Sequence, residues 1–142
     1  MKFFYLEPEV SGSIGDNSVM DSNVHPPLVT RLNYEFDGWM GDVMVESFPC
    51  YLVTEEAKGK ILNEGFSGVA FDKVEVTTSE LFDEMQPDQK LPPFAWLRVN
   101  GRAGQDDFGI ANDYRLVVSD RVLNALKPLG ISNALIEPFE TS

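Results

Sequence analysis

Short runs of apolar and β-branched residues separated by turn-forming residues make up most of the sequence, and this pattern predicts more strand than helix. The first ten residues, MKFFYLEPEV, predict a strand that stops near Pro8. Residues 11–27 are rich in Gly, Ser, Asn and Asp and close with two prolines, so they predict a loop. The segment LVTRLNYEFDGW returns to β-type residues, and GDVMVESFP is expected to form either a short extended piece or a single helical turn.

Residues 50–76 predict a strand, a helix and a second strand in that order. CYLV is typical of a strand, and so is VAFDKVEV at the other end of the segment. Thr54 is placed to cap the N-terminus of the intervening helix, and two glutamates follow in the first turn, where acidic groups complement the helix dipole. Apolar residues continue at helical spacing until Gly65, which is placed to end the helix in a left-handed conformation.

The segment from Leu116 to Thr141 repeats this design without an insertion. The strand end, the cap, the acidic first turn and the terminal glycine correspond in pairs: Val53 with Val118, Thr54 with Ser119, Glu55 with Asp120, and Gly65 with Gly130. Every helix needs a beginning and an end, so these matches alone leave open whether the two strand–helix–strand units are a true duplication.

The region between the two units adds one short helix and one strand. Thr77 or Ser79 is placed to cap the helix ELFDEM, which Pro87 ends, and FAWLRVNG predicts a strand followed by a glycine-rich turn or loop. No segment has the composition of a linker. The sequence therefore predicts one α+β domain over residues 1–142, with a mixed or antiparallel sheet, two or three short helices and the two strand–helix–strand units.

The charge balance changes what the protein is expected to bind. The chain contains 23 acidic and 11 basic residues, which give a formal net charge of −12. Such a surface repels phosphate backbones and anionic membranes, so we expect neither nucleic acid nor a membrane as a partner. It favours a cationic partner, including a protein that itself binds nucleic acid, although solubility alone is an alternative explanation. The N-terminus lacks the length and cleavage site of a signal peptide, so we expect a cytoplasmic protein.

Residues that commonly carry catalysis are scarce. One histidine, His25, and one cysteine, Cys50, can form neither an internal disulfide nor a zinc shell of His and Cys ligands, and nothing in the sequence places them together. We therefore expect no catalytic residue, no metal and no cofactor. Carboxylates in turns leave one enzymatic alternative, a small-molecule or carbohydrate-binding enzyme. Its candidate residues are Asp37, Asp42, Asp106 and Asp107.

Two segments are candidates for a partner-binding surface. The predicted helix between the units and the turn after it carry four acidic residues and no basic one: Glu80, Asp83, Glu84 and Asp88. This acidic surface would steer a basic partner, unless it is simply a solvated helix face. The second candidate is the segment FDGWMGD, with Asp37, Trp39 and Asp42, where an exposed tryptophan would act as an anchor and a core tryptophan would not.

Four longer segments resemble one known family. YEFDGWMGD, ESFPCYLVTEE, NGRAGQDDFGIA and YRLVVSDRVLNALKPLGISNALIEP are similar to the eleventh family of bacterial polymorphic-toxin immunity proteins, formerly a domain of unknown function. The resemblance spans most of the chain from Val24 to Pro138. It implies a cytosolic, non-enzymatic protein that is encoded beside a secreted toxin, binds that toxin and blocks it. The acidity favours a basic toxin such as a nuclease. A protein-binding module with no toxin partner remains the other alternative.

Overall fold

The computed structural model describes residues 1–140, so Thr141 and Ser142, which end the predicted domain and the predicted second unit, lie outside the described residues. Strands dominate this part of the chain. In chain order they are β1 (Phe3–Glu7), β2 (Gly12–Ile14), β3 (Val19–Asp21), β4 (Leu28–Arg31), β5 (Asn33–Phe36), β6 (Met44–Ser47), β7 (Cys50–Thr54), β8 (Val69–Asp72), β9 (Glu75–Thr78), β10 (Phe94–Val99), β11 (Phe108–Ile110), β12 (Leu116–Ser119) and β13 (Leu135–Phe139). The helices are α1 (Glu55–Glu64), α2 (Glu80–Met85) and α3 (Asp120–Leu126). The predicted α+β class with three short helices is confirmed.

Two four-stranded antiparallel sheets share one topology, with strand orders β6–β7–β10–β8 and β11–β12–β1–β13. In each sheet the two strands of a predicted strand–helix–strand unit lie apart, and an antiparallel strand from elsewhere in the chain fills the space between them. That strand is β10 in the first sheet and β1 in the second. The strand that precedes each unit forms the edge of the sheet and pairs with the first strand of that unit: β6 pairs with β7, and β11 pairs with β12. Both predicted units are therefore present.

The registers of these two sheets also correspond. Thr54, the N-cap of α1, pairs with Phe94 of the inserted strand, and Ser119, the N-cap of α3, pairs with Phe3. On the other side of the inserted strands the matching pairs are Leu97 with Phe71 and Leu6 with Ile136. The need to cap a helix explains why the cap residues match, but it does not explain why the inserted strand and the second strand of each unit pair in the same register. The correspondence therefore favours the duplication that the sequence left open.

The structure corrects three local predictions. The loop predicted at residues 11–27 contains the short strands β2 and β3, and the single predicted strand VAFDKVEV is divided into β8 and β9. These two strands belong to different sheets, because β9 pairs in parallel with β5 in the three-stranded sheet β2–β5–β9. The helix α3 ends at Leu126 rather than near Gly130, since Pro128 lacks the N–H that a further turn would need.

Two hydrophobic clusters fill the interior of the described chain. One lies where α1 and α3 contact each other over the four-stranded sheets, and Ile61, Val122 and Leu126 are among its buried residues. The other joins β5, β7 and β10, and Phe82 of α2 belongs to it. Phe82 is 3% exposed and is the buried residue of α2. Anchoring by this one ring leaves the rest of the short helix facing outwards.

Candidate partner-binding surface

The helix α2 presents its acidic residues to solvent. Ser79 caps its N-terminus, because the serine hydroxyl accepts a hydrogen bond from Phe82 N at 3.2 Å. With Phe82 turned inwards, the four predicted acidic residues all remain exposed: Glu80, Asp83, Glu84 and Asp88. Asp83 also accepts a hydrogen bond from the Thr78 hydroxyl at 2.9 Å, so its carboxylate helps to hold the first turn of the helix.

The structure joins the two segments that the sequence singled out separately. Gln86 follows α2, and its side-chain amide bonds to both main-chain groups of Trp39. Gln86 Oε1 accepts a hydrogen bond from Trp39 N at 2.7 Å, and Gln86 Nε2 donates one to Trp39 O at 3.1 Å. This paired contact fixes the FDGWMGD loop against the C-terminal end of α2. Sequence reasoning missed the role of Gln86, since no local pattern links residues so far apart in the chain.

A groove of about 590 Å³ lies between α2 and this loop, and we call it the α2 groove. Four apolar side chains that line it are more than half exposed, from 53% for Leu81 to 72% for Met85, together with Val10 and Met40. Leu81 and Met85 are four positions apart and therefore share one face of α2. Apolar side chains exposed together and bordered by polar groups mark an interaction surface. Their helical spacing was the one sequence signal that could have found this feature.

Glu9 is a buried carboxylate in the wall of the α2 groove. It is 4% exposed, and its Oε2 accepts hydrogen bonds from Met40 N at 2.9 Å and from the Ser11 hydroxyl. Its Oε1 lies 3.4 Å from Asp42 N. These bonds offset the desolvation of the carboxylate and fix the backbone that carries Met40. The sequence contains no motif that would have indicated this role.

Trp39 is only partly exposed, so it is not a free-standing anchor. Its indole Nε1 donates a hydrogen bond to Asp42 O at 2.9 Å, and its ring meets Phe94 edge to face with 6.0 Å between centroids. The ring therefore supports the loop from within while part of it lines the α2 groove. Asp37 is also partly exposed and lines the same groove.

Asp42 departs from the expectation of a partner-binding residue. It is 2% exposed, and its two carboxylate oxygens accept hydrogen bonds from Asn133 N at 2.9 Å and Asn133 Nδ2 at 2.8 Å. This contact connects the turn that precedes β6 to the loop that follows α3. The Asp42 side chain is thus buried and bonded within the protein. The exposed part of this segment runs from Asp37 to Met40.

Asp107 makes a similar contact: Asp42 binds the loop after α3, and Asp107 binds the loop after α1. It precedes β11, is 6% exposed and accepts hydrogen bonds from Ser67 N at 3.0 Å and from the Ser119 hydroxyl at 2.7 Å. Ser67 lies in the loop that follows α1, so Asp42, which precedes the first unit, binds the second unit, and Asp107, which precedes the second unit, also binds the first. Asp106 binds Arg102 N at 2.7 Å within its own turn. Three of the four carboxylates of the enzymatic alternative, Asp42, Asp106 and Asp107, are therefore engaged with different parts of the chain, while Asp37 lines the α2 groove.

Cys50 and His25 lie in different environments, the thiol buried and the imidazole exposed. Burial raises the pKa of the Cys50 thiol to about 12, so this thiol is protonated near neutral pH and is a poor nucleophile. His25 is exposed, and its ring packs edge to face against Tyr114 with 5.1 Å between centroids. Within residues 1–140, no three His, Cys, Asp or Glu side chains are grouped so that they could hold a metal ion.

Comparison of the sequence with models of known protein families gives no match, and comparison with curated proteins gives none. The resemblance to the immunity family therefore stays a prediction from the four segments. None of the helices described between residues 1 and 140 has the length and apolar character needed to cross a membrane.

Proposed function

We propose that the chain is an immunity protein, a non-enzymatic cytoplasmic inhibitor that binds and neutralises a cationic toxin. One observation carries the proposal: α2 and the loop at residues 37–40 form a single exposed surface in which apolar side chains lie beside acidic ones. The four segments that resemble the immunity family include this loop. The net charge of −12 supports a partner of opposite charge, such as a basic nuclease.

The two kinds of side chain on this surface would act on different rate constants. The acidic residues of α2 would speed the approach of a basic protein, because complementary charge mainly raises the association rate. The apolar side chains of the α2 groove would slow dissociation once they are covered, because burial of apolar surface is the main favourable contribution to most protein association and affinity differences appear mainly in the dissociation rate. Rapid and lasting binding suits an inhibitor that must act before a toxin causes damage.

The first experiment asks whether a toxic partner exists. The tagged chain is purified from its native cells, the co-purifying protein is identified, and its effect on growth is measured with and without this chain. Growth inhibition that this chain relieves supports the proposal. A partner that is bound but not toxic contradicts it and favours a protein-binding module without a toxin.

A charge-reversal variant then tests the surface. Glu84→Lys with Asp88→Lys should lower the association rate with the partner by about ten-fold or more at low salt, because two acidic groups facing the partner become basic. Asp83 stays unchanged, since its bond to Thr78 supports α2. Glu140→Lys is the control, because Glu140 is exposed beside a different depression. Equal association rates for the double variant and the control would remove α2 from the interface.

A further inference from the structure

Main-chain groups of three residues along the α2 groove, Ser11, Trp39 and Met40, are hydrogen-bonded within the protein. Ser11 N donates to the Tyr34 hydroxyl, and Ser11 O accepts from Asp37 N and Gly38 N. Trp39 N and O bind Gln86, and Met40 N binds Glu9. A partner that bound as an added strand would need unpaired main-chain groups, and these bonded groups of Ser11, Trp39 and Met40 do not supply them. A helix of the partner has no such need, because its main-chain hydrogen bonds are made within the helix itself.

The exposed apolar side chains suit the face of such a helix. Leu81 and Met85 form a ridge one turn long on α2, and Val10 and Met40 line the groove with them. Ridges of this kind pack between the side chains that a second helix presents at i, i+3 and i+4. Two of the four are methionines, whose unbranched side chains adapt to the shape of the helix that covers them.

The charges around the groove define the other face of the partner helix. No Lys or Arg of the described chain lines the α2 groove, while Glu9 and Asp37 line it and Glu80 and Glu84 are exposed on α2. From Glu75 to Gln89 the sequence contains no basic residue at all. A helix seated here would therefore be favoured if Lys or Arg flank its apolar side chains.

We infer that the α2 groove receives an amphipathic helix of the partner protein, with apolar residues at i, i+3, i+4 and i+7 and with Lys or Arg on its flanks. The inference rests on the proposed function, because it specifies which part of a cationic toxin this surface would hold. It also makes a statement about the isolated chain, namely that a helix of this chemistry binds the groove without the rest of the toxin.

The probe is a synthetic peptide of leucine and lysine, about fourteen residues long, with its leucines at helical spacing. The control peptide has the same composition but alternates leucine and lysine, which favours a strand. We expect the helical peptide to bind the whole chain at least about ten-fold more tightly in fluorescence anisotropy and to perturb the NMR signals of α2 and residues 37–40. Equal or tighter binding of the alternating peptide, or perturbation confined to another surface, would overturn the inference.

A groove variant separates this inference from the proposed function. Leu81→Ser with Met85→Ser should weaken binding of the helical peptide at least about ten-fold, and Leu62→Ser, an exposed change on α1, should not. If the wild-type chain neutralises its toxin and the groove variant does so equally well, the inference fails while the proposed function stands. If the wild-type chain neutralises nothing, the proposed function fails, and the two peptides still decide whether the groove binds a basic amphipathic helix.

Discussion

Glu46, in β6, has a carboxyl whose raised pKa should make the stability of the protein depend on pH. Burial, with a further contribution from the negative charge of Glu7, raises the pKa of its carboxyl to about 7 from the usual 4.5. Between these two values the folded chain retains a proton that the unfolded chain releases. The free energy of unfolding must therefore fall as the pH rises through this interval, because the charged form is the one that the folded environment penalises.

Replacing Glu46 with Gln should remove this dependence. We expect Glu46→Gln to stabilise the protein by about 1 kcal/mol near pH 8, where partial exposure of the carboxylate limits the effect, and to change stability little near pH 4. Urea denaturation at both pH values measures the difference, with Glu140→Gln as an exposed control. An equal gain at both pH values would mean that Glu46 does not titrate in this way.

Among the short elements, those fixed by local chemistry could be predicted and those fixed by distant pairing could not. The helix α1 begins after the Thr54 cap and ends at Gly65 as predicted, because a cap, an acidic first turn and a left-handed glycine all act within a few residues. In VAFDKVEV the apolar positions change phase at Asp72 and Lys73, from Val69 and Phe71 to Val74 and Val76, so the sequence carries a local sign of a break, but the pairing of the two halves with β10 and with β5 depends on distant residues. No local pattern contains that information.

Two glycines, Gly59 inside α1 and Gly65 directly after it, should respond to alanine in opposite directions. Gly59 lies inside the helix with open space where a Cβ would be, so Gly59→Ala should stabilise the protein by about 0.5–1 kcal/mol. Gly65 has a φ of 70°, so Gly65→Ala should destabilise it by about 1 kcal/mol through backbone strain. Chemical denaturation of the two variants beside wild type measures both changes. Shifts of the same sign would contradict the assigned helix end.

At the scale of the whole molecule, the sequence could indicate parts of the candidate surface but not their assembly. The exposed acidic residues of α2 follow from local charge, and Ser79 and Phe82 fix which side of the helix faces out. The α2 groove exists because Gln86 and Glu9 bind the backbone of Trp39 and Met40, and each of these contacts joins distant parts of the chain. Asp42 was assigned to the surface for the same reason, since its partner Asn133 is ninety-one positions away.

Asp42 precedes the first strand–helix–strand unit and binds the second, whereas Asp107 precedes the second unit and also binds the first, so the loss of each carboxylate should affect the unit farther from it in sequence. Asp42→Ala leaves Asn133 N without its partner and should cost about 1–3 kcal/mol of stability. In the Asp42→Ala variant, amide hydrogen exchange should rise most in the loop after α3. In the Asp107→Ala variant, it should rise at Ser67, after α1. Asp106→Ala is the control, since it alters one turn. Faster exchange confined to the unit that directly follows the mutated residue would show that the two carboxylates do not hold the units together.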